Sequence, residues 1–260
     1  MEKKNMKLSV AIAVYNEEKN LDACLTSVAS WVDEIVVVDG GSTDNTVSIA
    51  KKYTAHIIHA SNPAIFHINK QKAMDVCKGT WILQMDADEV ITDALKNEIL
   101  EIVEGDDSQI NGYYIPRRNN FWGHFMKKGG QYPDYVIRLV KNGKAKLPCK
   151  DVHEQIAVVG AVGYIKEPML HFSYRTTEDY WKKADSYTSL TAMFMAKRNT
   201  PANVRTWFSY MIWQPLKMFF LLFVRHKGFV DGWYGLVFAY WSALHFPIAY
   251  RKYRKYRNMI

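Results

Sequence analysis

Cysteine is scarce. The 260 residues hold three, Cys24, Cys77 and Cys149, far apart in the chain. Such spacing offers neither a disulfide framework nor a paired-cysteine zinc site. A reducing cytoplasm suits it, and Cys24 and Cys77, in helix-like runs, read as buried thiols. Two phosphate-binding signatures are missing as well: G-x-G-x-x-G and the P-loop are both absent, which argues against a dinucleotide dehydrogenase and a P-loop NTPase. The charged N-terminus leads into an apolar run, Leu8 to Val14, too short for a signal peptide and better read as a first strand. Acids are nearly missing from the tail. From Met195 onward there are eleven Lys/Arg against the single acid Asp231, so the formal +8 of the chain belongs to that tail, the remainder carrying 23 Lys/Arg against 25 acids.

What is present begins with strand and helix signals in alternation. Leu8–Val14, Glu34–Val38, His56–His59 and Trp81–Met85 are short apolar runs of the buried-strand kind. Between them Leu21, Cys24, Leu25 and Val28 recur at helical spacing, Phe66 to Cys77 reads as a helix stopped by Gly79, and Thr92 caps a helix through Val103. That order predicts an α/β fold, a mostly parallel open sheet with crossover helices, and ligands on such sheets bind beyond the carboxyl ends of the strands. Two acid-bearing loops fall there. One is Asp39-Gly-Gly-Ser-Thr-Asp44, whose glycines permit a tight turn and whose Ser42 or Thr43 is placed to cap the next helix. The other is Asp86-Ala-Asp88-Glu89, three acids in four positions at the end of the Trp81 strand. Carboxylates so crowded repel, and a cation that offsets them is expected; a hard divalent ion, Mg²⁺ or Mn²⁺, takes oxygen ligands and leaves positions for phosphate oxygens.

Ser9-Val-Ala-Ile-Ala-Val-Tyr-Asn-Glu-Glu18, Ile35-Val-Val-Val-Asp39-Gly-Gly-Ser-Thr-Asp44 and Met85-Asp-Ala-Asp-Glu89 together resemble the family 2 glycosyltransferases of the GT-A fold. Asn69-Lys70-Gln71-Lys72-Ala73-Met74 is similar to that family's Q-K-N-x-A-L helix, with Gln71 where Asn is usual. Further on, Tyr132-Pro-Asp-Tyr-Val-Ile-Arg-Leu139, Val152-His-Glu154, Leu170-His-Phe-Ser-Tyr174 and Lys227-Gly-Phe-Val-Asp-Gly-Trp-Tyr-Gly235 resemble the subgroup that adds glucose to the inner core of lipopolysaccharide. The resemblance implies a GT-A catalytic domain over 1–200, with a nucleotide-sugar half at 1–105 and an acceptor half at 106–200, followed by a helical region at 201–260.

It also implies roles. Ala13, Tyr15, Glu17 and Asp39 would hold the uridine, a carboxylate suiting the uracil N3–H donor; the plainer role for Asp39 is to shape the turn before Gly40-Gly41. Asp86 would meet the ribose or the water shell of the metal, Asp88 would ligate the metal, and His171 would add a metal or diphosphate contact or else be structural. Lys70 would reach the diphosphate unless it is a solvated helix lysine. Glu154 matches the base that an inverting displacement needs on the acceptor hydroxyl, and His153 would orient it or bind acceptor. Arg138 would face anionic acceptor groups or pair with Asp134. Phe121-Trp-Gly-His-Phe125, between Arg117-Arg118 and Lys127-Lys128, reads as a mobile flap over the donor.

In the tail, Met211–Val224 and Trp233–Tyr250 are apolar stretches flanked by basic residues, the chain closing on Arg251-Lys-Tyr-Arg-Lys-Tyr-Arg257. Aromatic and cationic side chains together favour a lipid headgroup layer. Helices lying on the cytoplasmic face of the inner membrane, a homo-oligomer contact and a membrane hairpin all fit; a nucleic-acid tail is rarely so apolar. The expectation is therefore a metal-dependent inverting hexosyltransferase, moving glucose from a UDP-sugar to a lipid-linked glycan. A polyprenyl-phosphate glycosyltransferase and a non-catalytic nucleotide-binding scaffold are the alternatives.

Overall fold

The computed structural model describes residues 6–53, 55–63, 65–105, 109–149 and 154–258. Strands β1 (Leu8–Val14), β2 (Glu34–Asp39), β3 (His56–His59) and β4 (Trp81–Met85) form where β-branched and apolar residues run without interruption. Helices α1 (Leu21–Thr26), α2 (Thr46–Lys51) and α3 (His67–Val76) connect them. After β4 come β5 (Glu89–Val90), α4 (Asp93–Gly105), β6 (Ile110–Phe121), β7 (His124–Phe125) and β8 (Asp134–Lys141). Short strands β9 (Ala145–Lys146), β10 (Ala157–Val158) and β11 (Ala161–Tyr164) precede β12 (Met169–Tyr174). Helix α5 (Thr177–Lys197), α6 (Val204–Phe208), α7 (Gln214–Phe220) and α8 (Gly232–Asn258) complete the chain.

The sheet order is β3-β2-β1-β4-β8-β6-β12-β5, with β7 and β11 also on β6, and the small β9–β10 ladder is separate. The first four strands are parallel, as the sequence predicts. Beyond them the sheet departs from the mostly parallel expectation, since β8 joins β4 antiparallel and β12 joins β5 antiparallel. The fold is therefore a mixed, parallel-rich α/β sheet.

By contact the chain divides into one unit of residues 1–117 and 135–171 and a second of 118–134 and 172–260. In the first, strict alternation along each strand sends side chains to opposite faces. Val10, Ile12, Val37, Trp81 and Leu83 meet α1 and α4 residues such as Leu25, Leu95 and Ile99. Ala11, Val36, Val38 and Ile82 meet Ala73, Met74 and Cys77 on the α3 side. Both faces are covered, which is why these strands carry almost no polar residues. Gly79 earns its place by close approach: a Cβ there would lie 2.6 Å from the Ser9 backbone nitrogen.

The second unit is aromatic. Phe121, Tyr180 and Phe238 are buried together, with Trp122, Tyr174 and Trp241 around them. Here the flap reading needs correction. Asp231, the lone acid of the tail, is buried and accepts hydrogen bonds from the Lys127 and Lys128 backbone N–H groups at 2.9 Å each. His124 Nε2 lies 2.8 Å from the same carboxylate, and the Gly129 N–H donates to the His226 carbonyl at 2.9 Å. Asp231 thus ties down His124 and the Lys127 and Lys128 backbone, while the Trp122 indole N–H is buried without a hydrogen-bond partner among the described residues.

Candidate active site

The carboxyl ends of β1, β2 and β4 carry the loops the sequence singles out. Parallel register sets Val14 opposite Asp39, and Ala13 opposite Val38. Ala13 is half-buried, Tyr15 exposed and Glu17 half-buried. The first two loops are latched. The Asn16 N–H donates to Ser42 Oγ at 2.9 Å, Thr43 N–H to Asn16 Oδ1 at 2.8 Å and Glu17 N–H to Thr46 Oγ1 at 2.8 Å. Ser42 therefore does not cap α2; Asp44 Oδ1 instead accepts from the Thr46 N–H at 3.0 Å. Asp39 is buried and accepts from the Gly41 and Ser42 N–H groups at 3.1 to 3.3 Å. The turn-forming role is thus real, and it fixes the carboxylate at the edge of the loop.

The acid cluster after β4 is neutralised from within. Arg138, on β8, is buried and donates from Nη2 to Asp86 Oδ2 and Glu89 Oε1 at 2.6 Å each, while Nη1 reaches Gln84 Oε1. Lys70 Nζ pairs with Asp86 Oδ1, and Arg117 lies 3.8 Å from Glu89. Burial pushes the Asp86 carboxyl up, but Arg138 and then Lys70 outweigh it and hold the pKa well below the usual carboxylate range. Two expectations change. Arg138, expected to face acceptor groups or to pair with Asp134, has its guanidinium buried on Asp86 and Glu89, because β8 lies against β4. Lys70 is no solvated helix lysine; it is buried on Asp86. The cation that crowded acids require is supplied largely by the protein.

Asp88 lies two residues on from Asp86, in the same turn. The Glu89 carboxylate accepts from the Asp86 N–H at 2.8 Å and stiffens the turn, and β5 pairs with β12 so that His171 is opposite Glu89. His171 Nε2 consequently lies 3.4 Å from Asp88 Oδ2. Residues 83 positions apart in the chain meet. A carboxylate oxygen and an imidazole nitrogen at this separation can share one ion. Among the described residues no group of three His, Cys, Asp or Glu forms a closed cage. Asp88 and His171 would thus supply at most two ligands, and a hard ion held there would have to take the rest of its shell from water and phosphate oxygens.

Glu154 is half-buried and follows Cys149, whose thiol is pushed up first by burial and then by the Glu154 charge. Its loop is anchored on α3, where the Leu147 N–H donates to Gln71 Oε1 at 2.6 Å and Leu147 and Ile156 pack with Ala73 and Met74. His153 lies outside the described residues. Sequence reasoning missed the Gln71 tether and the role of Arg138, since each acts across more than fifty residues.

A parallel four-strand edge with acid-bearing loops at its carboxyl ends is the frame of a GT-A-like α/β fold. The model of the family described as Glycosyl transferase family 2 matches residues 9–172, and the chain belongs to that family. The lipopolysaccharide core biosynthesis glycosyltransferase LpsC of Rhizobium meliloti (strain 1021) is 30% identical over 258 residues, 91% of this chain and 90% of that protein. An uncharacterized glycosyltransferase of Rickettsia typhi (strain ATCC VR-144 / Wilmington) is 28% identical over 98% of this chain and 90% of its own. Among solved structures, S. aureus TarS 1-349 in complex with UDP-GlcNAc has a TM-score of 0.50 at 16% identity, covering 90% of this chain and 79% of that one. The chain is thus a family 2 glycosyltransferase related to a lipopolysaccharide core transferase.

Proposed function

We propose that this protein transfers a hexose, glucose being the first candidate, from a UDP-sugar to a lipid-linked oligosaccharide such as the lipopolysaccharide inner core, with inversion. The observation that carries the reading is the meeting of Asp88 with His171 beside the Asp86 turn. The lipopolysaccharide core role of its relative LpsC and the UDP-GlcNAc bound by TarS, which shares the fold, support the choice of donor and acceptor class. The acceptor class also favours work at the cytoplasmic face of the inner membrane, with the protein bound peripherally.

In this reading Ala13, Tyr15, Glu17 and Asp39 receive the uridine, Asp86 the ribose side, and Lys70 turns from Asp86 to the diphosphate. Asp88 and His171 would hold a Mg²⁺ or Mn²⁺ ion, which when bound relieves charge on the departing diphosphate. Glu154 takes the proton of the acceptor hydroxyl as its oxygen bonds to the anomeric carbon. The bond from that carbon to the diphosphate breaks, and UDP leaves with the electron pair. His153 serves the acceptor side.

Asp88→Ala and Glu154→Gln test it with UDP-glucose and purified core acceptor, product being read by mass spectrometry. Each is expected to lower kcat by about 10²–10⁴-fold, and Glu154→Gln should leave UDP binding unchanged. Full activity in either variant removes the role given to that residue.

A further inference from the structure

The tail has two apolar stretches, and the second structural unit treats them differently. α8 is a packing helix, with Phe238, Ala243, Tyr250 and Tyr253 buried. The continuous helical run Val204–Arg225, by contrast, is 22 residues long and apolar enough to cross a membrane, yet its most apolar window is 0% buried. One side of it does pack. Tyr210 and Met211 lie against Tyr250 and Tyr253, and Leu222 belongs to the cluster of Phe238.

The other side presents Val204, Phe208, Ile212, Leu216, Phe220 and Val224, all exposed and spaced by four. On an α-helix a step of four overshoots one turn, so such a line would wind around the axis. Two π-helical turns, Ser209–Trp213 and Leu221–Arg225, interrupt the run. A π turn takes more residues than an α turn and winds the line back. The apolar line therefore stays outward. One position further along run Arg205, Trp213, Lys217 and Arg225, also exposed.

We propose that Val204–Arg225 lies flat in the headgroup layer of an anionic bilayer, its apolar line at the acyl boundary and its basic line on lipid phosphates. The inference rests on the membrane-surface reading above and names the contact that makes it. Charge selects the occupant. The only acid from Met195 onward, Asp231, is buried against backbone donors, so the exposed charge of that stretch is positive throughout. Two copies of such a face repel, whereas anionic lipid attracts it. Geometry selects the orientation. The run would be about 33 Å long as a continuous α-helix, enough to cross, but Lys217 stands just past its middle and crossing would put that ammonium in hydrocarbon. Lying flat places it among headgroups, with the packed side kept on α8.

The test uses the full-length protein with extruded vesicles of phosphatidylglycerol and phosphatidylcholine mixed, or of phosphatidylcholine alone. Co-sedimentation should require the anionic lipid and weaken as salt rises. Leu216→Glu and Phe220→Glu should each lower partition by about tenfold or more. Nitroxide labels on Phe208→Cys, Leu216→Cys and Val224→Cys, in a Cys149→Ser background, should report one shallow depth. Partition indifferent to the Glu variants, or absent from anionic vesicles, overturns the proposal. A label at 216 far deeper than those at 208 and 224 overturns the flat orientation. A dimer in light scattering that the Glu variants dissolve assigns the face to a second copy and overturns it too. UDP binding by calorimetry on the same samples separates the readings: its loss in the unaltered protein counts against the donor assignment and leaves the vesicle result standing.

Discussion

Arg138 is the residue on which the acid turn depends. Glu89 has no solvent exposure and Arg138 very little, so each charge is tolerable only beside the other. Arg138→Met leaves the half-buried Asp86 with Lys70 and the buried Glu89 with only Arg117 at 3.8 Å, at a cost of about 3–5 kcal/mol, and denaturant melts should show it. Arg138→Met combined with Glu89→Gln should recover part of that loss. Acid sensitivity follows from Asp86. Its folded pKa is depressed, so its contribution is complete above the unfolded value of about 4 and is lost as pH falls through the folded value. Melts between pH 5 and 8 should therefore be insensitive to this group, with the loss confined to stronger acid, and in Arg138→Met the acid limb should move to higher pH.

At the scale of elements, α3 serves two loops. Lys70 faces the acid turn, and its neighbour Gln71 holds the Leu147 N–H while donating to Asp75 at 2.6 Å. Gln71→Ala removes the tether of the loop that leads to Glu154 and leaves a backbone N–H to be met by water. The expected result is a kcat lower by about tenfold, in line with the sensitivity of positioned groups to small displacements, with UDP affinity unchanged. Steady-state kinetics beside UDP calorimetry would check the split; an equal fall in UDP affinity would show that the tether serves the donor side. The Phe121–Phe125 region shows the opposite lesson. Its single glycine and its aromatics look mobile in one dimension, yet Asp231, more than a hundred residues later, holds His124.

At the scale of the whole molecule, the acid turn is offset by the chain's own cations. Arg138, Lys70 and Arg117 pair with Asp86 and Glu89, and Asp88 with His171 is the pair proposed above to hold an ion. Chelation of divalent ions should accordingly abolish transfer while leaving the Tm unchanged within a degree or so, because no buried acid is exposed to repulsion by the loss. Calorimetric scans with and without chelator, beside product assays, measure both. A large fall in Tm would mean that the ion is part of the folded core.

Local chemistry was readable in one dimension. The four parallel strands, the Asp39 and Asp86–Glu89 loops at their carboxyl ends and the basic, aromatic tail all follow from apolar runs, turn residues and charge counted along the chain. Periodicity and composition are short-range properties, so they survive without coordinates. The tertiary structure alone decided which cation meets which acid, that His171 stands by Asp88, and which of two similar apolar stretches is buried. Those outcomes depend on an antiparallel strand set beside β4 and on helix faces packed across long loops, and no pattern within a short window records either.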